Sequence, residues 1–518
     1  MIDVNPFIQS GWTSQATFAF TLIVILILPI TILKRRRQHP YPVAPGALPF
    51  LGHALALANS DKFLTVLTQW KNDIGQDGIF EFSIFGRRWI VVYSADTYMH
   101  FMGMRSSKIK RASIFSDAIA SLGVNGMFNA EGHVWKNDRR IVVPTLNKNH
   151  IEDYFPFVKL VANRLVSKWK NEEGVAVSAL TDLSKYALDV IALSVLGIDL
   201  DSMNNPDSEL AKDIENFFQF IFVRSLSPVQ FWKIPLCSNL DGGRNTSERV
   251  LQSIRGLVRD YRERLDDGNN NQKEQKRETK ICLQKLIDIS DRDDAKLDED
   301  RVVGNLATLM LAGTDTTSNT LAVCLWEIAH DAKLHDELYN EIAESGKDLE
   351  SLTMSDVMNG FPRLHSLLFE VLRIKNSTPL LFLEPAEDVE FRGGLIKPGD
   401  IICAMTRSPG EKAASDVPTG PNGEGPETFC PHRWLVSQNE SFTVMQPTNE
   451  NGGFMPFGHG LRACPGAKLA KVEVLTGLIY ILRSFELAPM ENHPPVERVM
   501  RFTETFDGEI KLMLKTRI

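Results

Sequence analysis

The stretch FGHGLRACPG, residues 457–466, decides the fold of this chain, because it places a cysteine on a glycine-rich loop directly before a helix. Gly458 and Gly460 allow the positive φ angles of a tight turn, and Pro465 fits the first turn of the helix that follows. Cys464 then lies at the helix N-terminus, where free amides favour the thiolate, the form that binds metals. Taken alone, the pattern fits a buried structural cysteine better.

Three neighbours of Cys464 indicate a bound group. Phe457 can pack against the sulfur and limit its access to water. Gly466 carries no side chain and lets a flat cofactor approach closely. Arg462 offers a planar fork of N–H donors that suits a carboxylate. The loop therefore predicts a thiolate held against a metal.

Two further motifs lie on predicted helices. Trp135 and Arg139 are four residues apart, so both can donate to one anionic group, although a surface amphipathic helix fits them about as well. In AGTDTT, residues 312–317, a glycine and threonines interrupt an apolar helix from about 302 to 329. The Thr316 hydroxyl can there bond the Ala312 carbonyl four residues back and bend the helix.

Two charged motifs follow. EVLR, residues 370–373, pairs Glu370 with Arg373 on one helix face, which alone is a frequent surface feature. PHRW, residues 431–434, supplies a second arginine, Arg433.

In residue type and order, these motifs resemble those of the cytochrome P-450 family of haem-thiolate monooxygenases, of the eukaryotic microsomal type. The resemblance covers most of the chain. It implies a mainly α fold with a minor β-sheet region, and haem b (iron protoporphyrin IX) as the cofactor.

The resemblance also implies roles for the motif residues. Cys464 would be the axial ligand of the haem iron, and the groove at residues 312–317 would leave room for dioxygen. The remaining residues would bind the haem (Trp135, Arg139, Phe457, Arg462, Gly466), relay protons (Asp315, Thr316) and form a buried structural charge cluster (Glu370, Arg373, Arg433).

The sequence departs from the family at one haem contact. Many members carry an arginine shortly after the Glu-x-x-Arg helix that contacts a propionate, yet none occurs between Asn376 and Phe391. The residue that takes its place stays open. The stretch from Gly410 to Glu427 is longer than usual, and its Gly, Pro and small polar residues predict a surface loop.

Composition fits a large body in a reducing compartment. The chain has 518 residues, 43% of them hydrophobic, and a net charge of -8, which argues against nucleic acid as a partner. The six cysteines include no C-x-x-C pair, so neither zinc nor a disulfide framework is supported. The polar run 266–280 predicts a loop between helices.

The N-terminal segment predicts a membrane anchor. From Gly11 to Leu33 no residue is charged, and Lys34–Arg37 follows at once, which favours a transmembrane helix with a cytosolic body. A cleaved signal peptide and a mitochondrial presequence would both place positive charge earlier. We expect a lumenal tip and signal-anchor (1–33), a basic and Pro-rich hinge (34–52) and a haem-binding catalytic domain (53–518), at the endoplasmic reticulum membrane.

We therefore expect a monooxygenase that receives electrons from NADPH through a cytochrome reductase, with cytochrome b5 as a further candidate donor. The alternatives are a haem-thiolate isomerase or dehydratase that needs no dioxygen, and a non-catalytic haem or lipid carrier. The apolar residues placed near the pocket by resemblance predict a lipophilic substrate but not its identity: Ile114, Phe115, Ile119, Phe217, Phe218, Phe220, Ile221, Leu380, Leu381, Phe382 and Phe506.

Overall fold

Helices form most of the structure, which is a computed structural model. It describes residues 39–517, apart from 75–76, 106, 173, 228–229, 268–279, 295, 408–416, 439–440 and 448–453. In these ranges the α-helices are α1 (Phe63–Ile74), α2 (Ala95–Gly103), α3 (Ser113–Ala120), α4 (Gly132–Val142), α5 (Lys148–Asn171), α6 (Ala179–Ile191), α7 (Glu209–Leu226), α8 (Gly243–Asp267), α9 (Cys282–Arg292), α10 (Glu299–His330), α11 (Ala332–Glu344), α12 (Met354–Asn359), α13 (Pro362–Ile374) and α14 (Ala467–Ser484).

The strands are short and form small sheets, so the predicted mainly α fold with a minor β-sheet region is confirmed. They are β1 (Ile79–Ile84), β2 (Arg87–Val92), β3 (Ile109–Arg111), β4 (Val177–Ser178), β5 (Leu380–Pro385), β6 (Val389–Phe391), β7 (Gly394–Ile396), β8 (Ile401–Met405), β9 (Leu435–Gln438), β10 (Ser441–Val444), β11 (Phe485–Pro489), β12 (Arg498–Met500), β13 (Glu504–Phe506) and β14 (Lys511–Thr516).

Helix α10, with 32 residues, is the central element of the fold. Its N-terminus is capped by Asp298, whose side chain accepts a hydrogen bond from the Arg301 amide. Apolar residues lie on most of its faces, as expected of a helix that is covered all round. Helices α6, α8 and α14 pack against it, as does the π-helical turn Ala192–Leu196 that follows α6.

The largest sheet has five strands in the order β1-β2-β8-β5-β3. Strands β2 and β8 are parallel, and the other neighbours are antiparallel. The strands predicted at Ile79–Ile84 and Trp89–Val92 are present as β1 and β2, joined at Gly86 with its positive φ of 76°. Trp89 pairs with Ile401 and Phe382 with Cys403, so both aromatic side chains lie on the same face of the sheet.

The Pro-rich stretch before the body packs on this sheet. Tyr41 and Ala44 are buried, the Ala44 amide donates to the Glu81 carbonyl at 2.9 Å, and the Glu81 amide donates to the Pro42 carbonyl at 2.8 Å. Proline keeps its carbonyl acceptor, so a Pro-rich segment can still line a strand edge. The predicted anchor at 11–33 lies outside the described residues. Within the described part, no helix is both long and apolar enough to cross a membrane.

The stretch predicted as a surface loop, Gly410 to Glu427, is described from residue 417 onward. There the carbonyl oxygens of Pro418 and Gly425 accept from Arg433 at 2.6 and 2.8 Å, and Pro426 accepts from Arg373. The backbone of this half of the stretch is therefore held against the protein body by hydrogen bonds to two buried arginine side chains. Small residues allow the close backbone approach that these bonds need.

Candidate active site

A cavity of about 1460 Å³ lies between α10, the loop before α14 and the five-stranded sheet. Of the residues selected from the sequence, those proposed to bind haem or relay protons all border it: Trp135, Arg139, Asp315, Thr316, Phe457, Arg462, Cys464 and Gly466.

The cysteine loop has the expected turn but a later helix start. Gly458 and Gly460 have positive φ angles of 72° and 66°, and the Cys464 amide donates to the Phe457 carbonyl at 2.8 Å, which closes the loop. Helix α14 begins at Ala467, so Pro465 precedes the helix instead of lying in its first turn. The reason is that Gly466 takes the N-cap position, where it offers no side-chain cap.

The uncapped helix start provides donors for Cys464. The amides of Gly466 and Ala467 donate to its sulfur, and the guanidinium of Arg139 acts on it electrostatically. Burial has the larger effect and raises the pKa of the Cys464 thiol above its usual value, although the thiol remains accessible from the cavity. A bound metal ion would supply the positive charge that stabilises the thiolate.

Trp135 and Arg462 form one end of the cavity together with Arg139. The Trp135 ring is buried, and the Arg462 guanidinium carbon lies 4.0 Å from its centre. Arg462 donates to the Ala130 carbonyl at 3.0 Å, and Arg139 donates to the Ala463 carbonyl at 2.9 Å. Burial lowers the pKa of Arg462 to about 10. Trp135 and Arg139, which were predicted to share one face of α4, therefore both contact the cysteine loop.

Two further arginines at this end were missed in the sequence. Arg105 is buried, and its Nε and Nη2 have no partner among the described residues. Arg111 donates from Nε to the Phe128 carbonyl at 3.0 Å, and burial with repulsion from Arg105 and Arg462 lowers its pKa to about 9. Both border the cavity. The segment KIKR at 108–111 looks like a surface run of charges, so no sequence signal distinguished them.

The only nearby acid in this part of the described chain is Glu131. One of its oxygens accepts the Arg111 backbone amide at 2.9 Å, and the other pairs with Arg462. At this end of the cavity, one carboxylate therefore faces three positively charged side chains, those of Arg105, Arg111 and Arg462. Buried cations without a partner are strongly unfavourable, so this end of the cavity requires an anion. A flat cofactor that carries carboxylates and ligates a thiolate fits this donor set.

The middle of α10 faces the cavity with an acid and an alcohol. The hydrogen bond predicted from the Thr316 hydroxyl to the Ala312 carbonyl is present at 2.9 Å. Burial raises the pKa of Asp315 to about 6, and its carboxylate has no ion-pair partner within the described ranges. A second acid that was not predicted, Glu473 of α14, also borders the cavity, and burial raises its pKa to about 8.

Gly313 has a packing role that the sequence did not reveal. A Cβ atom at this position would lie 2.7 Å from Cδ1 of Ile191, the last residue of α6. Such a contact is too short for carbon atoms, so a larger residue here would force the Ile191 side chain to shift. Glycine at this position thus lets the Ile191 side chain pack directly on α10 beside the cavity.

The predicted charge cluster is formed, away from the cavity. The Glu370 carboxylate accepts from Arg373 Nε at 2.9 Å, from Arg433 Nε at 3.0 Å and from Trp434 Nε1 at 3.0 Å. Arg373 also donates from Nη2 at 2.7 Å, and the Cys430 amide adds a fifth donor at 2.8 Å. The charged side chains are fully buried.

The predicted pocket residues divide into two groups. Ile114, Phe115, Leu380, Leu381 and Phe382 border the cavity. The others that can be placed do not: Ile119 and Ile221 are in the core, Phe217 faces a separate small void, and Phe220 packs on the core. The side chain of Phe218 is outside the described set.

The C-terminal hairpin contributes a different phenylalanine from the one expected. Phe506 lies on β13 and packs against the Trp326 ring at 5.6 Å, within the core. Phe502 borders the cavity instead, because it lies in the turn between β12 and β13. The two phenylalanines are only four residues apart, but the turn of the hairpin directs Phe502 to the cavity and the strand directs Phe506 to the core.

Comparisons with known proteins agree with this arrangement. A family profile described as Cytochrome P450 matches residues 42–505. Cytochrome P450 4d2 of Drosophila melanogaster is 26% identical over 491 residues, which cover 89% of this chain and 91% of that protein. Cytochrome P450 4V2 of Homo sapiens is 23% identical over 492 residues, covering 90% of this chain and 88% of that protein.

Among solved structures, the heme domain of cytochrome P450DA matches with a TM-score of 0.75 at 20% identity, over 92% of this chain and 98% of that one. That likeness establishes the fold. Because the family profile covers most of the sequence, this chain belongs to the cytochrome P450 family, the oxidoreductase monooxygenases that hold haem b on a cysteine thiolate.

Proposed function

We propose that this chain inserts one oxygen atom of O2 into a lipophilic small molecule, with electrons that NADPH supplies through a reductase. The observation that supports this most directly is one cavity bordered by a cysteine thiol, a cluster of arginines and an acid–alcohol pair. The thiol can ligate a metal ion, the arginines can bind the carboxylates of a cofactor, and the acid–alcohol pair can relay protons.

The haem would be held by Cys464 at its iron and by arginines at its carboxylates. Arg462 and Arg139 frame Trp135, while Arg105 and Arg111 offer guanidinium nitrogens that make no hydrogen bond to any residue that the structure describes. These last two are our candidates for the arginine that the sequence lacks after Asn376. Bound haem iron supplies the redox chemistry that activates O2.

Asp315 and Thr316 would deliver protons into the cavity. Because burial raises the pKa of Asp315 to about 6, its carboxyl group can release and regain a proton near neutral pH. The Thr316 hydroxyl holds its proton on the Ala312 carbonyl at 2.9 Å and can turn to donate it elsewhere. Asp315 has no structural ion pair to maintain among the described residues, which supports a chemical role.

The same pair favours a monooxygenase over the alternatives. A haem-thiolate isomerase or dehydratase needs no proton relay, so a buried carboxyl group without a cation would only cost stability there. A haem or lipid carrier has no use for it either.

Electron delivery would use the surface near the cysteine loop, where Lys136, Lys148 and Lys468 lie close to elements that hold the cofactor. Lys471 of the same region borders the cavity and lies over the Phe457 ring, so it adds less charge to this surface. Arg140, on the same helix as Lys136, pairs with Asp293 at 2.6 Å and offers less free charge. The remaining lysines would attract an acidic reductase surface, which raises the association rate and depends on salt.

The body would be attached to the endoplasmic reticulum membrane by residues 11–33, with Lys34–Arg37 on the cytosolic side. The support is the uncharged run and the charges that follow it. Protease added to intact microsomes should then degrade the body, and full protection would place it in the lumen instead.

The decisive experiment uses the purified full chain with reductase, NADPH and a lipid extract. The reduced carbon monoxide adduct should absorb at about 450 nm, as thiolate ligation implies. An oxygenated product should form only when O2 and NADPH are both present. A Cys464→Ser variant should lose the band. If it keeps the band, or if wild type converts a substrate without O2, the proposal is wrong.

A further inference from the structure

One side of the cavity is built from four aromatic rings, which we name the aromatic wall: Phe63, Trp89, Phe115 and Phe382. The Phe115 and Phe382 rings are stacked, with centroids 4.5 Å apart and planes at 16°. Phe382 also contacts Phe63 at 6.2 Å and Trp89 at 6.0 Å, at steep interplanar angles. Each ring therefore has at least one ring neighbour.

The aromatic wall is rigid because its rings come from four different elements. Phe63 lies in α1, Trp89 in β2, Phe115 in α3 and Phe382 in β5. Trp89 is further fixed by stacking on Phe82, with centroids 5.5 Å apart and planes at 20°. Aromatic side chains have only two χ angles, so such contacts preserve their orientation at low entropic cost. A ligand thus meets a preformed surface.

The helical side of the cavity differs in chemistry. Helices α6 and α10 and the π-helical turn contribute branched aliphatic side chains there, namely Ile191, Val195, Leu309 and Leu311. A ligand between the two sides therefore touches rings on one side and methyl groups on the other.

Most cationic side chains along the rest of the cavity already have partners. Arg224 binds Asp241 through two nitrogens at 2.7 Å each, and Lys233 binds Asp117 at 2.6 Å. Arg87 donates to the Gly399 carbonyl at 2.8 Å. Arg501 reaches Asp507 at 4.0 Å, and Lys471 lies beside the cysteine loop, with its amine 5.6 Å from the centre of the Phe457 ring. Away from this loop and from the arginines assigned to the haem carboxylates, each cation of the described lining thus has a polar partner.

From these contacts we infer that the cavity selects flat, neutral, polycyclic or aromatic molecules over flexible chains, with Phe115 and Phe382 as the specificity-determining residues. This rests on the proposed function, since it names the substrate class of the same site. Ring-to-ring contact adds to the burial of apolar area, whereas a flexible chain must lose torsional freedom to fit.

The test compares pyrene with n-hexadecane, which have the same number of carbon atoms. Pyrene binding to the haem-loaded enzyme is followed by quenching of its fluorescence, and hexadecane is measured by displacement of pyrene. Wild type should bind pyrene about 10-fold more tightly, as two or more aromatic contacts imply. Phe115→Leu and Phe382→Leu should each weaken pyrene binding by about 3- to 10-fold, with less than about 2-fold change for hexadecane.

Leu311→Ala is the matched control, because it removes apolar volume on the aliphatic side and should weaken both ligands alike. The inference is overturned if wild type binds hexadecane as tightly as pyrene, or if the phenylalanine variants lose both ligands equally. The wild-type ratio decides the matter even where a variant fails to load haem. Failure of the proposed function is separate, since it appears as loss of the Cys464-dependent carbon monoxide band.

Discussion

The buried carboxylate of Glu370 allows a direct test of whether the charge cluster stabilises the protein beside the cysteine loop. Replacing it with glutamine keeps the shape but removes the negative charge. The amide oxygen can serve one oxygen position, which accepts from Arg433, Arg373 Nη2 and the Cys430 amide. Its NH2 group then faces Arg373 Nε and Trp434 Nε1, two donors that lose their acceptor.

The expected loss is large compared with the stability of the protein. Removing one partner of a buried ion pair costs about 3–5 kcal/mol, and total stabilities are about 5–15 kcal/mol. The loss should extend to cofactor retention, since the Trp434 ring contacts Phe454 at 5.6 Å, just before the cysteine loop. Glu370→Gln should lower the urea midpoint strongly and reduce the fraction of protein with the carbon monoxide band.

The matched control is Glu486→Gln, which removes an exposed partner of Lys515, with side chains 51% and 78% exposed. Exposed pairs contribute about 0–1 kcal/mol, so its midpoint should barely move. If Glu370→Gln lost no more stability than Glu486→Gln, the cluster would not hold the site, and our reasoning about buried charge would be refuted.

Three other predictions concern the reaction itself. Burial raises the pKa of Asp315 to about 6, so ionising its carboxyl group costs folding stability that grows from about pH 4 and is complete above about pH 6. Asp315→Asn should therefore raise the denaturation midpoint at pH 7, with the gain vanishing below about pH 4. It should also remove an ionisation near 6 from the pH profile of turnover. Thr316→Ala should keep haem and substrate binding yet divert electrons to peroxide, and unchanged coupling of NADPH use to product would contradict the proton role. Reversing the charges of Lys136 and Lys468 should slow reductase-driven turnover by about 10-fold or more at low salt and leave peroxide-driven turnover intact, whereas the distant Lys515→Glu should change neither.

The parts of the site that depend on local spacing were predictable from the sequence. The Thr316 bond to Ala312, the shared face of Trp135 and Arg139, and the pairing of Glu370 with Arg373 each lie within one helix. Helical geometry fixes such distances whatever the tertiary fold.

Features set by distant segments could not be predicted in this way. Arg111 and Arg462 meet at the cavity through Glu131, which binds the Arg111 amide and pairs with Arg462. These three residues are far apart in the sequence, so no local pattern predicts that they meet or that Arg105 lies beside them. The close packing of Gly313 likewise depends on Ile191, from a different helix. The sequence alone therefore identified Asp315 and Thr316. The excess of arginines over carboxylates at the other end of the cavity depends on contacts between distant segments.

The contact between Gly313 and Ile191 also gives protein engineers a way to adjust the depth of the chamber. Ile191 borders the cavity itself, so shortening it enlarges the cavity on the α6 side without changing Asp315 or Thr316. The same change frees the volume that a methyl group at position 313 would need. A change at Ile191 therefore alters the volume open to a substrate while the Asp315 and Thr316 side chains are kept.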